Sequence, residues 1–337
     1  MSIETLVTQS WYRKLGWTWL LAPLLLLTAP FVYLKRHRYL RKKHTVYRST
    51  LPVIVVGNIT IGGTGKSPMV IALAKKLVEM GFKPGIVSRG HKRQATGTTI
   101  VTTDSNSSEV GDEPLMLYRR TGCPVAVCEQ RVEAIRALES SNAVDIIISD
   151  DGLQHYRMER DIEIVMIDAQ RKLGNKMLLP VGPLREWPSR LKSVDFCFSI
   201  GEIKEASLPC SVTRGLLELA SIKSVNGLTA LPLDSLKQDE WVVVAGIGNP
   251  SRFKKSLIAH GLPNATKHLF FPDHHAYTRN DMPSNRRVIM TEKDAVKVEQ
   301  FALESDNWWY SEVGLMLPKE FQAKFEAKLK RILSEKH

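Results

Sequence analysis

The sequence predicts an α/β protein with a doubly wound, mainly parallel sheet, a second, smaller α/β unit and an N-terminal membrane-associated helix. Three observations support this fold class. Short apolar runs alternate with helically spaced segments along residues 52–167, a pattern typical of βαβ units around a parallel sheet. The first of these runs leads directly into a glycine-rich turn that opens a helix. A long uncharged stretch precedes the first strand.

The predicted elements follow one another in a simple order. Strands are expected at 52–57, 84–88, 98–103, 124–127, 144–149 and 162–167, and helices at 68–80, 112–120 and 131–140. After a weaker break at about 200–240, strands are expected at 241–245, 267–270 and 287–290, followed by a helix at 318–336. We therefore expect an N-terminal anchor (1–50), a main domain with the glycine-rich turn (51–215) and a smaller C-terminal α/β domain (216–337).

The positive charge of the chain is concentrated at its N-terminus. Of the net charge of +12, residues 1–50 contribute +8, because they contain nine Lys and Arg residues and the single acid Glu4. A nucleic-acid-binding protein normally spreads basic residues over its folded face. Here the basic cluster at 35–43 directly follows an apolar segment. This arrangement favours an anionic membrane surface as the partner and argues against nucleic acid.

The apolar segment itself comprises twenty residues without a charge, at 15–34. That length is just sufficient to cross a hydrocarbon core of about 30 Å. Pro23, Pro30 and Gly16 interrupt the segment, so we expect membrane attachment by a spanning or a half-buried helix. The alternative is an apolar helix that packs on the protein's own core. A cleaved signal peptide is disfavoured, because the stronger positive charge follows the apolar run instead of preceding it.

The strongest local motif is the glycine-rich turn at 57–68, which lies between a predicted strand and a predicted helix. Glycines allow backbone N–H groups to surround phosphate oxygens, and the following helix N-terminus adds partial positive charge. We expect Lys66 to reach the β- and γ-phosphates of ATP and the Ser67 hydroxyl to bind Mg²⁺. The expected nucleotide-binding residues are Thr60, Ile61, Gly62, Gly63, Thr64, Gly65, Lys66 and Ser67. The alternative is a glycine-rich turn without a ligand.

The spacing of this motif departs from the common phosphate loop. Thr60 stands where the usual pattern has its first glycine. The GGTGKS form resembles the deviant phosphate loop of some membrane-associated ATPases. Those proteins carry a signature lysine at the position of Ile61, and this difference argues against membership of that group.

A pair of acidic residues at the end of another predicted strand is consistent with nucleotide binding at the glycine-rich turn. The apolar run at 144–149 ends in Asp150 and Asp151. A buried strand that delivers carboxylates at its C-terminal end is how phosphate-loop folds hold Mg²⁺ near the γ-phosphate. A simple turn is the alternative for paired acids at this place.

Together with further segments, these motifs resemble the tetraacyldisaccharide 4′-kinases of lipid A biosynthesis. The resemblance rests on GNITIGGTGKSP at 57–68, SRGHKR at 88–93, GDEP at 111–114, DDGLQH at 150–155, GPLRE at 182–186, FPDHHAY at 271–277 and TEKDAVK at 291–297. It implies transfer of the ATP γ-phosphoryl group to the 4′-hydroxyl of a lipid substrate, a tetraacyldisaccharide 1-phosphate. It also implies a location at the cytoplasmic face of the inner membrane, and a kinase domain and a smaller domain that close over the active site between them.

The family pattern assigns a catalytic Asp to Asp112 and a partner His to His274. A carboxylate oriented by imidazole can accept the proton of a sugar hydroxyl as the new bond forms. From the residues alone, Asp112 is equally suited to cap the helix that starts here. His274, His275 and Asp273 are adjacent, but no further ligand is spaced to complete a metal site.

Two further pairs are candidates. Arg185 is expected to stabilise charge on the transferring phosphoryl group, and Glu186 to help place Mg²⁺. An ion pair between these two neighbours is the structural alternative. Lys293 and Asp294 are candidates for contact with the nucleotide or with the substrate's 1-phosphate. Two other functions compete with the lipid kinase, namely a membrane-associated ATPase switch and a kinase with a soluble acceptor.

Overall fold

A computed structural model describes residues 3–41, 45–91, 93–203, 208–227, 229–237 and 240–336. In these ranges the strands are β1 (Val53–Gly57), β2 (Pro84–Ser88), β3 (Thr99–Ile100), β4 (Val125–Val127), β5 (Ile146–Asp150), β6 (Ile162–Asp168), β7 (Phe196–Ile200), β8 (Val212–Ser224), β9 (Ala230–Leu231), β10 (Trp241–Ala245), β11 (Lys267–Phe270), β12 (Arg287–Thr291) and β13 (Trp308–Met316). The α-helices are α1 (Ile3–Trp11), α2 (Leu25–Arg41), α3 (Lys66–Glu79), α4 (Ser107–Val110), α5 (Asp112–Thr121), α6 (Arg131–Ser140), α7 (Pro250–Ala259), α8 (Glu292–Val298) and α9 (Lys319–Lys336).

The described strands form one mixed sheet in the order β11-β10-β12-β13-β8-β7-β6-β1-β5-β2-β4-β3, with β9 beside β8. The strands from β7 to β4 run parallel, with β1 between β5 and β6. Because the carboxyl ends of parallel strands share one edge, the loops after β1, β5 and β2 open at the same side of the sheet. This edge is where the sequence places its glycine-rich turn and its paired acids.

Alternate residues of the central strand pack on opposite layers of helices. Ile54 and Val56 join the core formed with α3, α5 and α9. Val53 and Val55 join the core on the other face, with α6 and part of α2. A strand buried on both faces reads as a continuous apolar run, because neither face is exposed to water. This explains why the run at 52–57 carries no polar residue.

The predicted fold class is confirmed. The strands predicted at 52–57, 84–88, 124–127, 144–149, 162–167, 241–245, 267–270 and 287–290 are present within two residues of their expected ends, as are the helices. The strand predicted at 98–103 is wrong in length, since only Thr99–Ile100 pairs with β4.

Four strands, β7, β8, the two-residue β9 and β13, are not predicted by the sequence. β8 lies where the sequence suggests a break, and it is the link between the two parts of the sheet. It pairs in parallel with β7 and antiparallel with β13. Two of its four exposed positions carry apolar residues, Leu216 and Ala220, so its alternation of apolar and polar residues is too weak to read as a strand. The domain boundaries given above stay a prediction.

The N-terminal apolar segment forms a 3₁₀ helix, Trp17–Leu24, continued by α2. Together they span 25 residues. The most apolar stretch of 18 residues has a mean hydropathy of 1.6, and 6% of this stretch is buried. Leu25, Ala29 and Val32 pack on the core. Most other large apolar side chains of the segment are exposed to solvent: Leu15, Trp17, Leu20, Leu24, Leu26, Leu27, Phe31, Tyr33, Leu34 and Leu40. The segment is thus docked on the protein along one side only. Lys42 and Lys43 of the basic cluster, and Lys92 of the SRGHKR segment, lie outside the described residues.

Candidate active site

The glycine-rich turn lies at the carboxyl end of β1 and opens α3, as the sequence predicts. Gly65 precedes the helix with φ +86°, a conformation that favours glycine. Within the turn, the Asn58 amide donates to the Thr64 hydroxyl at 3.1 Å. The Ile61 N–H donates to the carbonyl of Pro183 at 2.9 Å. The turn is therefore fixed from inside and from the GPLRE segment, with the N-terminus of α3 directed at the space that it encloses.

The paired acids lie beside this turn, because β5 is the neighbour of β1 and Val56 is in register with Asp150. Asp151 is 3.5 Å from Lys66 Nζ and accepts two hydrogen bonds of 3.1 Å from Arg185 Nη1. Burial alone raises the pKa of Asp151, but Lys66 and Arg185 outweigh it and lower the pKa to about 2. Arg185 thus pairs with Asp151, so the suggested ion pair with Glu186 is wrong.

Asp150 differs sharply from its neighbour. Burial, Glu113 and Asp151 raise the pKa of Asp150 to about 7, against the opposing charges of Lys66 and Arg131. Its Oδ2 accepts from the Ser88 hydroxyl at 3.3 Å, and its Oδ1 is buried without a hydrogen-bond partner. An orphaned carboxylate oxygen is costly in a protein interior unless a proton or a cation compensates it. This position fits a divalent cation.

No group of three or more His, Cys, Asp or Glu side chains within the described ranges is arranged to hold a metal ion. This does not conflict with Mg²⁺ at Ser67, Asp150 and Asp151. Mg²⁺ usually keeps several waters and binds through one or two carboxylates together with substrate phosphates. The donor set of a hydroxyl and two carboxylates beside a phosphate loop fits that pattern.

Glu186 is buried in a hydrogen-bond network of its own. Its carboxylate accepts from the Gln154 amide at 2.8 Å and from the Tyr156 hydroxyl, and it lies 3.5 Å from Arg190 Nε. Burial and the nearby Glu186 raise the pKa of Tyr156 above its ordinary value, so the phenol stays a donor. Gln154 also donates to the carbonyl of Asn58 at 2.9 Å. Glu186 thus supports the start of the glycine-rich turn through Gln154.

Asp112 and His274 meet although they come from different halves of the sheet. Asp112 is the first residue of α5, and its Oδ2 is 3.2 Å from His274 Nδ1. This contact lacks regular hydrogen-bond geometry, which leaves Oδ2 buried without a hydrogen bond. Burial raises the pKa of Asp112, but the contact with His274 and the charge of Lys293 outweigh it and hold the pKa well below its usual range. The N-cap position belongs to Gly111, so the suggested N-cap position of Asp112 is wrong, although its Oδ1 accepts the Glu113 N–H at 3.0 Å in the first turn.

The backbone holds His274 in an unusual conformation. Its φ is +58°, a left-handed value that is uncommon for a residue other than glycine. The His274 N–H donates to the carbonyl of Gly246 at 3.2 Å, and the Gly246 N–H donates in turn to Asp294 at 3.0 Å. The glycine-containing turn at 246–248 therefore supports His274. Such strained positions cluster at functional sites.

The suggested direct role of Asp294 is wrong, because its side chain is fully buried. It accepts from Gly246 and the Thr291 hydroxyl and pairs with Lys297, so its role is structural. Lys293 points elsewhere, toward Asp112 and His274.

A cavity of about 1520 Å³ lies between the glycine-rich turn and His274. It is lined by the glycine-rich turn, the paired acids and Arg185, and also by His274, Glu113 and Lys293. At its other side it reaches Phe31 and Lys35 of α2. The glycine-rich turn and the exposed apolar helix therefore open into the same space.

Two further basic residues at this cavity, Arg171 and Arg252, were not predicted from the sequence. Arg171 Nη2 donates to the carbonyl of Gly248 at 2.6 Å. Arg252 pairs with Asp168, at the end of β6, at 2.7 Å. A side chain at Gly62 would come within 3.1 Å of Arg171, so this group borders the glycine-rich turn. Asp168 ends an apolar run beside β1, and that position is the signal that the sequence offered.

Comparison with known proteins gives a consistent result. A family model described as tetraacyldisaccharide-1-P 4′-kinase matches residues 17–330. A tetraacyldisaccharide 4′-kinase from Shewanella sp. strain W3-18-1 is 41% identical over 340 residues, covering 99% of this chain and 98% of that protein. The enzyme of the same name from Aeromonas hydrophila is 43% identical over 318 residues, covering 91% of each chain.

A solved structure is similar over almost the same length. It is the "apo" form of LpxK from Aquifex aeolicus in complex with ATP, with a TM-score of 0.72 and 25% identity. The match covers 92% of this chain and 98% of the Aquifex protein.

Proposed function

Because the chain belongs to the tetraacyldisaccharide-1-P 4′-kinase family, we infer that it transfers the γ-phosphoryl group of ATP to the 4′-hydroxyl of a tetraacyldisaccharide 1-phosphate in lipid A biosynthesis. The observation that carries this inference is the shared cavity. The phosphate-binding turn and His274 face one space, which also reaches the exposed apolar helix α2. Asp112 lies just behind His274, with its Oδ2 3.2 Å from the imidazole. A kinase for a lipid acceptor requires these three parts together.

ATP binds with its phosphates in the glycine-rich turn. The N-terminus of α3 and the backbone N–H groups of the turn stabilise the phosphate oxygens. Lys66 moves from Asp151, 3.5 Å away in this structure, to the β- and γ-phosphates. Arg185 stabilises charge on the equatorial oxygens during transfer, as an arginine supplied in cis does in related chemistry.

Asp112 acts as the general base. The acceptor oxygen forms a bond to the γ-phosphorus while the bond from this phosphorus to the bridging oxygen of ADP breaks. The hydroxyl proton passes to the Asp112 carboxylate. His274 holds that carboxylate in place, and the lowered pKa of Asp112 keeps it ionised before the reaction. Such a positioned base typically contributes 10²- to 10⁴-fold in rate.

Mg²⁺ would be held by Ser67, Asp150 and Asp151, with Glu186 supporting the site from the adjoining network. When bound, it supplies neutralisation of charge on the β- and γ-phosphate oxygens. The buried, unpartnered Oδ1 of Asp150 supports this assignment.

The lipid acceptor enters from a membrane surface. The exposed apolar side of α2 and the basic residues after it support attachment to anionic lipid headgroups, at the cytoplasmic face of the inner membrane. The kinase domain (51–215) supplies Asp112 and the phosphate-binding turn, and the smaller domain (216–337) supplies His274. Closure of the smaller domain over the site would exclude water during transfer.

The test is phosphoryl transfer from γ-labelled ATP to the tetraacyldisaccharide 1-phosphate in detergent micelles, for the wild type and for Asp112→Ala. Labelled lipid that falls by at least about 10²-fold in the variant supports the acceptor and the base. ATP hydrolysis without labelled lipid would overturn the kinase assignment in favour of an ATPase switch. Equal rates with a water-soluble glucosamine acceptor would overturn the lipid specificity.

A further inference from the structure

Lys293 lies beside the Asp112–His274 pair, and the proposed reaction assigns it no role. It is the second residue of α8, and only 14% of its side chain is exposed. Its Nζ lies 3.1 Å from Glu113 Oε1 and 3.2 Å from His274 Nε2. The same nitrogen is 3.6 Å from Asp273 Oδ1 and 3.9 Å from Asp112 Oδ2.

The contact with His274 determines where the imidazole carries its proton. An ammonium group has only donors, so His274 Nε2 must present a lone pair to Lys293. A neutral imidazole with an unprotonated Nε2 carries its proton on Nδ1. That nitrogen is the one that faces Asp112 Oδ2 at 3.2 Å.

The surroundings keep Lys293 charged. Burial alone lowers the pKa of Lys293, but Glu113, Asp112 and Asp273 outweigh it and raise the pKa above its ordinary value. Three acidic groups thus face the ammonium, two from α5 and one from the loop after β11. Lys297 adds positive charge from the next turn of α8, and His91 packs edge-on against the His274 ring at 4.9 Å.

We propose that Lys293 is a positioning residue, which holds His274 as the neutral Nδ1–H tautomer and thereby places an N–H instead of a lone pair on the ring nitrogen 3.2 Å from Asp112. With Nδ1–H facing the carboxylate, Asp112 stays an anion and remains free to accept the proton of the acceptor hydroxyl. Without Lys293, the proton of the neutral imidazole can move from Nδ1 to Nε2. Nδ1 then presents a lone pair to the Asp112 carboxylate, and these two acceptors repel each other.

This inference rests on the proposed role of Asp112, and its first test does not require the lipid. The measurement is a ¹⁵N NMR spectrum of histidine-labelled full-length protein at pH 7.5, with the His274 signals assigned by their loss in His274→Gln. We expect a protonated Nδ1 and an unprotonated Nε2 in the wild type. A wild-type His274 that is protonated on Nε2 would overturn the proposal whether or not any variant folds.

The second test compares Lys293→Met with Lys293→Arg, which keeps a charged donor. In the Met variant we expect His274 to lose its preference for the Nδ1–H tautomer, so that an Nε2–H signal appears in the spectrum. We also expect kcat to fall by about 10²-fold, with the KM for ATP within about twofold of the wild-type value. The Arg variant should retain the tautomer and most of the activity.

Lys76→Met is the matched control, because Lys76 also forms a partly buried ion pair, with Glu326 at 2.8 Å, on the far end of α3. It should leave both the His274 spectrum and kcat unchanged. If Lys293→Met loses activity but keeps the wild-type tautomer, Lys293 is only a structural counter-ion and the proposal fails. Failure of the proposed function would be visible separately, as an absence of labelled lipid with the wild type.

Discussion

His274 Nδ1 lies 3.2 Å from Asp112 Oδ2, which joins the loop after β11 to the first residue of α5. The contact connects the two halves of the sheet at the place where the phosphate-binding cavity opens. A carboxylate at a helix N-terminus is favoured in its charged form by the helix dipole. The contact therefore links the two halves of the sheet to the carboxylate that we propose as the general base.

The first prediction concerns the pH dependence of stability. Because the pKa of Asp112 is lowered in the folded protein, its ionisation stabilises the fold above the unfolded pKa of about 3.9. That contribution is lost only as pH falls below this value toward the folded pKa. We expect Asp112→Asn to lower the free energy of unfolding by a constant amount from pH 8 to pH 5. The difference should shrink below about pH 4, as measured by urea denaturation. A difference that already disappears between pH 7 and pH 5 would contradict the lowered pKa.

The second prediction concerns the requirement for Mg²⁺. Asp151→Asn keeps the size of the side chain and removes the charge that pairs with Lys66 and Arg185. We expect the Mg²⁺ concentration for half-maximal transfer to rise by at least about tenfold, because a carboxylate ligand becomes a weaker amide ligand. The measurement is initial rate against free Mg²⁺ at saturating ATP. Asp145→Asn is the control, since Asp145 stands just before the opposite end of the same strand and bonds to the Lys83 N–H. An unchanged Mg²⁺ dependence in Asp151→Asn would remove Asp151 from the metal site.

The third prediction concerns the buried network of Glu186. Glu186→Ala leaves the Tyr156 hydroxyl and the Gln154 amide without their acceptor, and it removes one carboxylate from Arg190. Breaking a buried ion pair by removal of one partner costs about 3–5 kcal/mol. We expect the free energy of unfolding to fall by about 3 kcal/mol, at the lower end of this range, because Arg190 keeps its contact with Glu163. Thermal unfolding of the variant measures this. Glu159→Ala, at an exposed ion pair with Arg48, should change stability by less than about 1 kcal/mol.

The fourth prediction concerns attachment to membranes. Leu26, Leu27 and Leu34 expose most of their side chains on α2. Burying a leucine side chain contributes about 1.5–3 kcal/mol, so we expect the triple change to Ser to weaken binding to anionic vesicles by more than about tenfold. Co-sedimentation with vesicles measures it. Leu303→Ser is the control, because Leu303 is exposed on a loop outside the N-terminal segment. Equal binding of the triple variant and the wild type would exclude α2 as the attachment surface.

The sequence by itself determined the features that depend on neighbouring residues. The glycine-rich turn, its strand and its helix lie within 53–79, and short-range geometry is sufficient to place Lys66 and Ser67 at the helix start. The acids after β5 follow the same logic, because a buried parallel strand is recognisable from a continuous apolar run. The apolar N-terminal segment is likewise recognisable from its composition.

Only the tertiary structure decided which distant residues meet. The residues alone could not choose between Asp112 as a cap and Asp112 beside His274, a pairing that only the family resemblance gave. They also could not show that Arg185 pairs with Asp151 instead of Glu186. For Lys293 the sequence suggested contact with the nucleotide or the 1-phosphate, but the fold places it between Asp112, Glu113 and His274. These contacts depend on β8 and β13, which join the two halves of the sheet through an antiparallel pair. Their sequences mix apolar and polar residues without clean alternation. Long-range packing, which no local pattern encodes, therefore decided the pairing of these strands and with it the geometry of the site.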